Sequence, residues 1–159
     1  MLKPLIAALT CTCALWAGES LDLATHGGRT LPPEAYSLVK KGGGRESFSW
    51  SWKDPSLKPG AGYAVEETRW EWDERQGRVL AYLRDQLELQ ARAGAANKLS
   101  VRVVYFAVNS VGPTMILEGA LSTDGKPKAY FVENVILDPG APLAGLVDEF
   151  MRDFTAFLR

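Results

Sequence analysis

Alternating and continuous apolar positions predict five β-strands in the chain. Aromatic residues alternate with serine over 47–52, and this period of two is typical of a strand with one apolar face. A second strand is predicted over 63–72, and the apolar run over 99–108 predicts a strand buried on both faces. The last two strands, 115–122 and 128–137, flank Asp124-Gly125, a dipeptide that favours a tight hairpin turn.

Apolar residues spaced three or four positions apart predict two helices. The first follows Asp73, has Gln76 at the capping-box spacing and ends before Gly94; the second starts at Pro142 and has a broad apolar stripe. Each helix needs a surface to cover its apolar face. The order β-β-α-β-β-β-α therefore predicts an α+β fold. We expect a two-layer sandwich, with a mainly antiparallel sheet of about five strands and both helices on one face.

Residues 1–17 have the layout of a secretory signal peptide. Lys3 gives a positive start, and a mostly apolar run too short for a permanent transmembrane helix ends at the small residue Ala17. We expect cleavage after Ala17 and a periplasmic or secreted protein. The alternative is a lipoprotein signal, in which a lipid on Cys11 or Cys13 would associate the chain with the membrane, such as the outer membrane.

The rest of the chain is predicted to be a lead-in followed by one domain. Residues 18–46 form the lead-in, with a short helix that starts near Pro32-Pro33 and ends before the glycine run 42–44. Residues 47–159 form a single α+β domain, a length that can bury a substantial core.

Composition excludes several kinds of chemistry from that domain. Both cysteines lie in the predicted signal peptide, and the one histidine, His26, lies in the lead-in. Disulfides, a cysteine nucleophile, a Cys or multi-His metal site and a Ser-His-Asp triad are therefore not expected, and no cofactor is predicted. A net charge of −1 does not favour nucleic-acid binding, which needs a basic surface.

Glu118 and Glu133 are the nearest approach to a catalytic carboxylate pair. The two-residue turn predicts that Glu118 lies opposite Phe131 and Glu133 opposite Ile116, so the two acids would be diagonal neighbours roughly 6–8 Å apart on a solvent-facing side of the hairpin. That separation suits a two-carboxylate glycan hydrolase. Two solvated side chains on an open sheet face are the favoured interpretation.

Two Trp-x-Trp pairs are the most unusual feature of the sequence. Large aromatics on one strand face usually pack under a helix, so Trp50 and Trp52 are predicted to be core residues. Trp70 and Trp72 share their strand face with polar residues, and we expect them to be the contact residues if any tryptophan is exposed. Exposed indoles can stack on sugar rings or hold a partner's apolar side chain.

The signal sequence, the Trp70-Glu71-Trp72-Asp73 strand end, the β-hairpin and the amphipathic last helix together resemble small bacterial envelope proteins. These include lipoprotein-like accessory domains of unknown role with a β-α-β-β-α core. The likeness covers about residues 47–159 and rests on element order. It implies a fold and a compartment and carries over no catalytic residue.

These observations favour an exported, non-catalytic binding or accessory domain of the bacterial cell envelope. Its partner would be an envelope protein or a cell-surface component, bound on the open sheet face or at a sheet edge. Two alternatives stay open. One is a carboxylate-only glycan hydrolase that uses Glu118 and Glu133, and the other is a carbohydrate- or lipid-binding module that uses exposed tryptophans.

The signal peptide can be tested by the mass of the exported protein. We expect the chain recovered from a bacterial periplasm to begin at Gly18, as measured by intact-mass and N-terminal peptide mass spectrometry. A chain that keeps residues 1–17 in the cytoplasm would contradict the prediction. A chain that begins at Cys11 or Cys13 with added lipid mass would instead establish the lipoprotein alternative.

Overall fold

The predicted elements and their order are confirmed. The computed structural model describes residues 31–32, 34–35, 38, 50–69 and 74–159. The signal peptide, His26, Trp70 and Trp72 lie outside these described residues. The elements are β1 (Trp50–Lys53), β2 (Tyr63–Arg69), α1 (Glu74–Gln90), β3 (Asn97–Asn109), β4 (Gly112–Thr123), β5 (Lys126–Ile136) and α2 (Ala144–Leu158).

The strands form one five-stranded sheet in the order β1-β5-β4-β3-β2. Neighbouring strands are antiparallel except β2 and β3, which are parallel. Parallel neighbours need a long crossover connection, and helix α1 provides it between β2 and β3. The prediction of a mainly antiparallel five-stranded sheet is therefore confirmed. Among the described residues, no helix is long and apolar enough to cross a membrane.

Both helices pack on the same face of the sheet, as predicted. Buried residues of α1 and α2 form one cluster with alternate residues of β3, β4 and β5. At its centre is Phe131, whose ring centroid lies 6.0, 5.7 and 5.8 Å from those of Phe150, Phe154 and Phe157. We call this side of the sheet the helix face.

Phe131 reaches the helices by lying across Gly119 on the neighbouring strand. A Cβ atom at position 119 would lie 1.9 Å from Cζ of Phe131, far closer than two carbon atoms can approach. The aromatic ring covers the glycine and fills the space that a side chain there would occupy. Gly119 is therefore required by packing against Phe131.

The β4–β5 hairpin has the predicted tight turn. Asp124 and Gly125 both have positive φ angles, 52° and 71°, as a type I′ turn requires. Thr123 pairs with Lys126 and Ser122 with Pro127, but Leu121 then pairs with Ala129. Lys128 is thus an extra residue in β5, a β-bulge that shifts the register of the rest of the strand by one position.

The bulge makes the predicted hairpin register wrong. Glu118 lies opposite Val132 and Glu133 lies opposite Leu117, one residue away from the partners that the turn alone predicted. Because successive side chains in a strand point to opposite faces, a shift of one residue exchanges the faces of every side chain in β5 beyond the bulge.

The second face of the sheet carries a smaller apolar cluster. Leu31 and Ala35, which belong to the predicted lead-in, are buried there against β4 and β5, in a cluster that includes Val132. Trp50 and Trp52 also pack on this face as half-buried residues. The prediction that they are core residues is confirmed in part, because they pack half-buried against this second cluster, and their cross-strand partners in β5, Val132 and Tyr130, face away from the α1 and α2 layer.

Replacing Gly119 tests the packing at the centre of the helix face. We expect Gly119→Ala to lower the free energy of unfolding by about 3 kcal/mol, because the added methyl group must displace the buried ring of Phe131. The measurement is equilibrium unfolding in urea. Gly77→Ala is the matched control, since nothing lies within 4 Å of a Cβ there on α1, and it should stabilise by about 1 kcal/mol. Equal stability of Gly119→Ala and the native protein would contradict this packing.

Candidate functional site

The structure does not bring Glu118 and Glu133 together. Glu118 shares the second face with Val132, whereas Glu133 lies on the helix face between Phe131 and Val135. Both side chains are buried, with 2% and 6% of their surface exposed, so the prediction of a solvent-facing pair is wrong. The physical reason is the bulge at Lys128, which places the two carboxylates on opposite sides of the sheet.

This separation removes the geometry that the hydrolase alternative needs. A two-carboxylate hydrolase requires both groups to flank the same glycosidic bond, with the carboxyl groups about 5–9.5 Å apart. Carboxylates on opposite faces of a sheet cannot both reach one substrate. Arg102 lies opposite Glu118 in the β3–β4 register, and opposite charges at such positions stabilise a sheet. Its burial and this neighbour make Glu118 a structural residue of the second face.

A polar network holds the bulge in place. The backbone N–H of Asp54 donates to the carbonyl oxygen of Lys128 at 2.8 Å. Lys128 Nζ donates to Ser56 Oγ at 2.8 Å and lies 3.8 Å from Asp54 Oδ1. The hydroxyl and the N–H of Ser56 both donate to Asp54 Oδ1. The β1–β2 loop is therefore attached to the extra residue of β5 through both backbone and side chains.

This network has the residue types of a serine–lysine pair but not the arrangement of a nucleophile. A serine nucleophile must give its proton to a lysine that acts as the base. Here the lysine donates to Ser56, and Ser56 donates to Asp54. Those hydrogen bonds from Ser56, with a smaller contribution from Lys128, lower the pKa of Asp54 below its usual value. The arrangement is that of a loop anchor.

The end of the sheet that contains the β3–β4 turn is unusually apolar at its surface. Val108, Val111 and Ile136 expose 62%, 67% and 53% of their surface, and we call these three residues the apolar end. Val108 lies opposite Pro113, and Ile136 lies opposite the next residue of β4, Thr114. Two strand spacings therefore separate the backbones at Val108 and Ile136, a distance of about 10 Å. Because Pro113 and Thr114 are consecutive residues of β4, Val108 lies on the helix face and Ile136 on the second face.

The apolar end is rigidly built. The N–H of Leu137 donates to the carbonyl oxygen of Pro113 at 2.9 Å. Gly112 has a φ of +123°, and a Cβ there would lie 1.9 Å from the carbonyl oxygen of Leu137. The chain after β5 thus closes directly on the hairpin, which only a glycine at position 112 permits.

The sequence patterns did not predict the apolar end. They predicted Trp70 and Trp72 as contact residues, and because both lie outside the described residues, that prediction stays untested. Val108 belongs to the continuous apolar run of β3, so its pattern is the same as that of the buried residues before it. The sequence signal for its exposure was its position next to the β3–β4 turn. The turn itself contains Val111, an apolar residue where a polar one is usual. In the part of the chain that the structure describes, no cluster of three or more His, Cys, Asp or Glu could hold a metal ion.

Comparisons with known proteins give likenesses in structure only. No family model matches the chain, and no curated protein matches it. A variant of PelC from Paraburkholderia phytofirmans, solved as a dodecamer, is 15% identical with a TM-score of 0.48, covering 68% of this chain and 94% of that one. A second crystal form of the PelC dodecamer is 14% identical with a TM-score of 0.46 and the same coverage.

A protein of Xanthomonas campestris assigned to the family model DUF330 is 13% identical with a TM-score of 0.36. The match covers 67% of this chain and 86% of that protein. At these identities and TM-scores, the likenesses to PelC and to the DUF330 protein carry no inference about the activity of this chain.

The loop anchor predicts a dependence of stability on pH. The pKa of Asp54 is lower in the folded protein than its ordinary value of 3.8, so ionised Asp54 favours folding above about pH 4. That contribution disappears as the pH falls through the folded-state pKa. We expect Asp54→Asn to be less stable than the native protein at pH 7 and to approach it at about pH 2, as measured by urea unfolding.

Asp85→Asn, on an exposed position of α1, is the control for a general effect of removing one negative charge. A stability difference for Asp54→Asn that is the same at both pH values would show that the carboxylate of Asp54 does not anchor the loop through its charge.

Proposed function

We propose that this protein is an exported, non-catalytic binding or accessory domain of the bacterial cell envelope, and that it binds a protein partner through the apolar end. The observation that carries the proposal is the exposure of more than half of Val108, Val111 and Ile136 at one end of the sheet. Single exposed apolar residues are ordinary on any surface, but these three lie at one end of the sheet. Val108 and Ile136 are on opposite faces there, so a partner that contacts both would bind around this end of the sheet.

The rigidity of the apolar end supports a binding role. A surface that is already ordered before association loses less conformational entropy when it binds. The hairpin is fixed by the close approach of Leu137 to Gly112, so Val108 near the end of β3 and Val111 in the β3–β4 turn are presented on an ordered hairpin. Side chains held in this way can act as anchors in a partner's pocket.

Trp70 and Trp72, the predicted contact residues, remain part of the proposal on the basis of the sequence. They follow β2 in the chain, and exposed indoles can hold a partner's apolar side chain. We propose that these two tryptophans contribute to binding.

Export is supported by the sequence of residues 1–17, and a binding role is favoured over hydrolysis by the placement of the glutamates. A charged start, a short apolar run and a small residue at the expected cleavage position are typical of secretory signals. Glu118 and Glu133 are buried on opposite faces, which leaves the surface of the domain as the place where function is to be sought.

Site-specific photo-cross-linking tests the proposed contact surface. We expect a photoreactive phenylalanine analogue at Val111 to give a discrete adduct with one envelope protein in cells that export this chain. The same analogue at Leu89, which is 77% exposed on α1, should give no such adduct. The adduct is identified by mass spectrometry.

Charged substitutions supply the quantitative part of this test. Val108→Lys and Ile136→Lys should weaken binding to the cross-linked partner at least tenfold, because a desolvated charge would enter an apolar contact. Leu89→Lys is the matched control and should bind like the native protein. Equal cross-linking at Val111 and Leu89, or binding unchanged by both substitutions at the apolar end, would overturn the proposal.

A further inference from the structure

The end of the domain opposite the apolar end contains an open cleft of about 190 Å³. It lies where α1 and α2 both end and where the β1–β2 loop crosses between them. The lining residues include Gly60, Gly62, Gln90, Arg92, Thr155 and Arg159. Because α2 begins after β5 and ends at this cleft, the length of that helix separates the cleft from the apolar end.

Hydrogen bonds fix the walls of the cleft. The N–H of Gly60 donates to the carbonyl oxygen of Leu158 at 2.6 Å, which joins the loop to the end of α2. The N–H of Arg92 donates to the carbonyl oxygen of Tyr63 at 2.8 Å, which joins the end of α1 to the start of β2. The cleft is therefore formed by segments that are bonded to one another.

The position of Arg92 accounts for a glycine in the loop. A Cβ at Gly62 would lie 2.6 Å from Cδ and 3.2 Å from Cγ of Arg92. Gly62 is not among the glycines with a positive φ, so its backbone conformation does not require glycine. The absence of a side chain at position 62 leaves room for the stem of Arg92 to lie along the loop.

The polar groups of the cleft suit a negatively charged ligand. Arg92 and Arg159 bring two guanidinium groups, and the lining residues of the described cleft include no Asp or Glu. Thr155 Oγ1 donates its one proton to the carbonyl oxygen of Met151 at 2.7 Å, and Gln90 Oε1 lies 3.2 Å from the same hydroxyl. The Gln90 amide is a further polar group that lines the cleft.

We propose that this cleft binds an oxyanion, either a carboxylate or a phosphate group of a ligand, through Arg92 and Arg159. The planar guanidinium group donates two parallel hydrogen bonds to either group, and charge-assisted bonds of this kind are about twice as strong as neutral ones. The proposal goes beyond the proposed function and rests on different residues, so either can fail without the other.

Arginines at the ends of helices also have a purely structural role. The carbonyl end of a helix carries partial negative charge, which cations near the last turn stabilise. This role predicts an effect of the arginines on stability without any specific binding of anions. The experiment therefore has to measure binding at identified positions and stability in the same variants.

The test is a titration of the exported protein followed by ¹⁵N NMR. Inorganic phosphate and acetate are added separately at constant ionic strength, with chloride as the reference anion. We expect saturable shifts of the Gly60, Gly62 and Arg92 amide signals. Saturation with phosphate alone would assign a phosphate ligand, and saturation with acetate alone would assign a carboxylate ligand.

Substitutions identify the groups that bind. Arg92→Gln and Arg159→Gln should each lower the affinity for the anion that gives saturable shifts by about tenfold. Arg78→Gln, at an exposed position of α1, should leave that affinity unchanged. Gly62→Ala should also weaken binding, because the new methyl group displaces the stem of Arg92. Since that stem is flexible, the thermal unfolding midpoint should stay close to that of the native protein.

Two results would overturn the proposal. Shifts that rise linearly and equally with phosphate, acetate and chloride would show general ionic effects only. Saturable binding that persists in both Arg92→Gln and Arg159→Gln would place the anion elsewhere, and the two arginines would then serve only to neutralise the helix ends.

Discussion

The direction in which Phe131 points is the constraint on which the rest of the domain depends. Its ring covers Gly119 on one side and contacts three phenylalanine rings of α2 on the other. The helix layer can pack at its observed position only if this side chain stands on the helix face. That orientation requires Lys128 to be accommodated as an extra residue, because regular pairing of Lys128 with Leu121 would turn Phe131 to the other face. The polar anchor from the β1–β2 loop holds Lys128 where the alternation changes.

The same alternation of side chains in β5 determines where the two glutamates lie. Glu118 and Glu133 become buried members of two different layers, one on each side of the sheet. Burying a carboxylate costs free energy unless neighbouring groups compensate its charge. The two glutamates therefore restrict which side chains can surround them in the interior. The surface features that suggest binding lie at the two ends of the domain. One end is apolar and the other holds a pair of arginines beside a cleft, so two ligands of different chemistry could be held without competing for the same residues.

Local patterns were sufficient for most of the fold. The serine–aromatic alternation, the spaced leucines of α1 and the Asp124-Gly125 turn each depend on residues close in sequence, and each was predicted correctly. The bulge was not predicted, although Pro127 was a signal for it, because a proline within a strand is confined to edges and bulges. One missed residue then gave the wrong face to Glu133, whereas Glu118 has its predicted face but is buried there beside the second apolar cluster. The pattern at Trp50 and Trp52 likewise showed that one strand face is apolar, but it contains no information about which layer covers that face.

The bulge also has a consequence for how changes in this protein accumulate. Exchanging Lys128 for another amino acid leaves the count of residues in β5 intact, so each later side chain keeps its side of the sheet. Deleting Lys128 would leave Leu121 opposite Ala129 and Gly119 opposite Phe131, in a regular hairpin without the bulge. In related sequences aligned to this chain, either a substitution or a one-residue gap at position 128 would therefore be compatible with the same core.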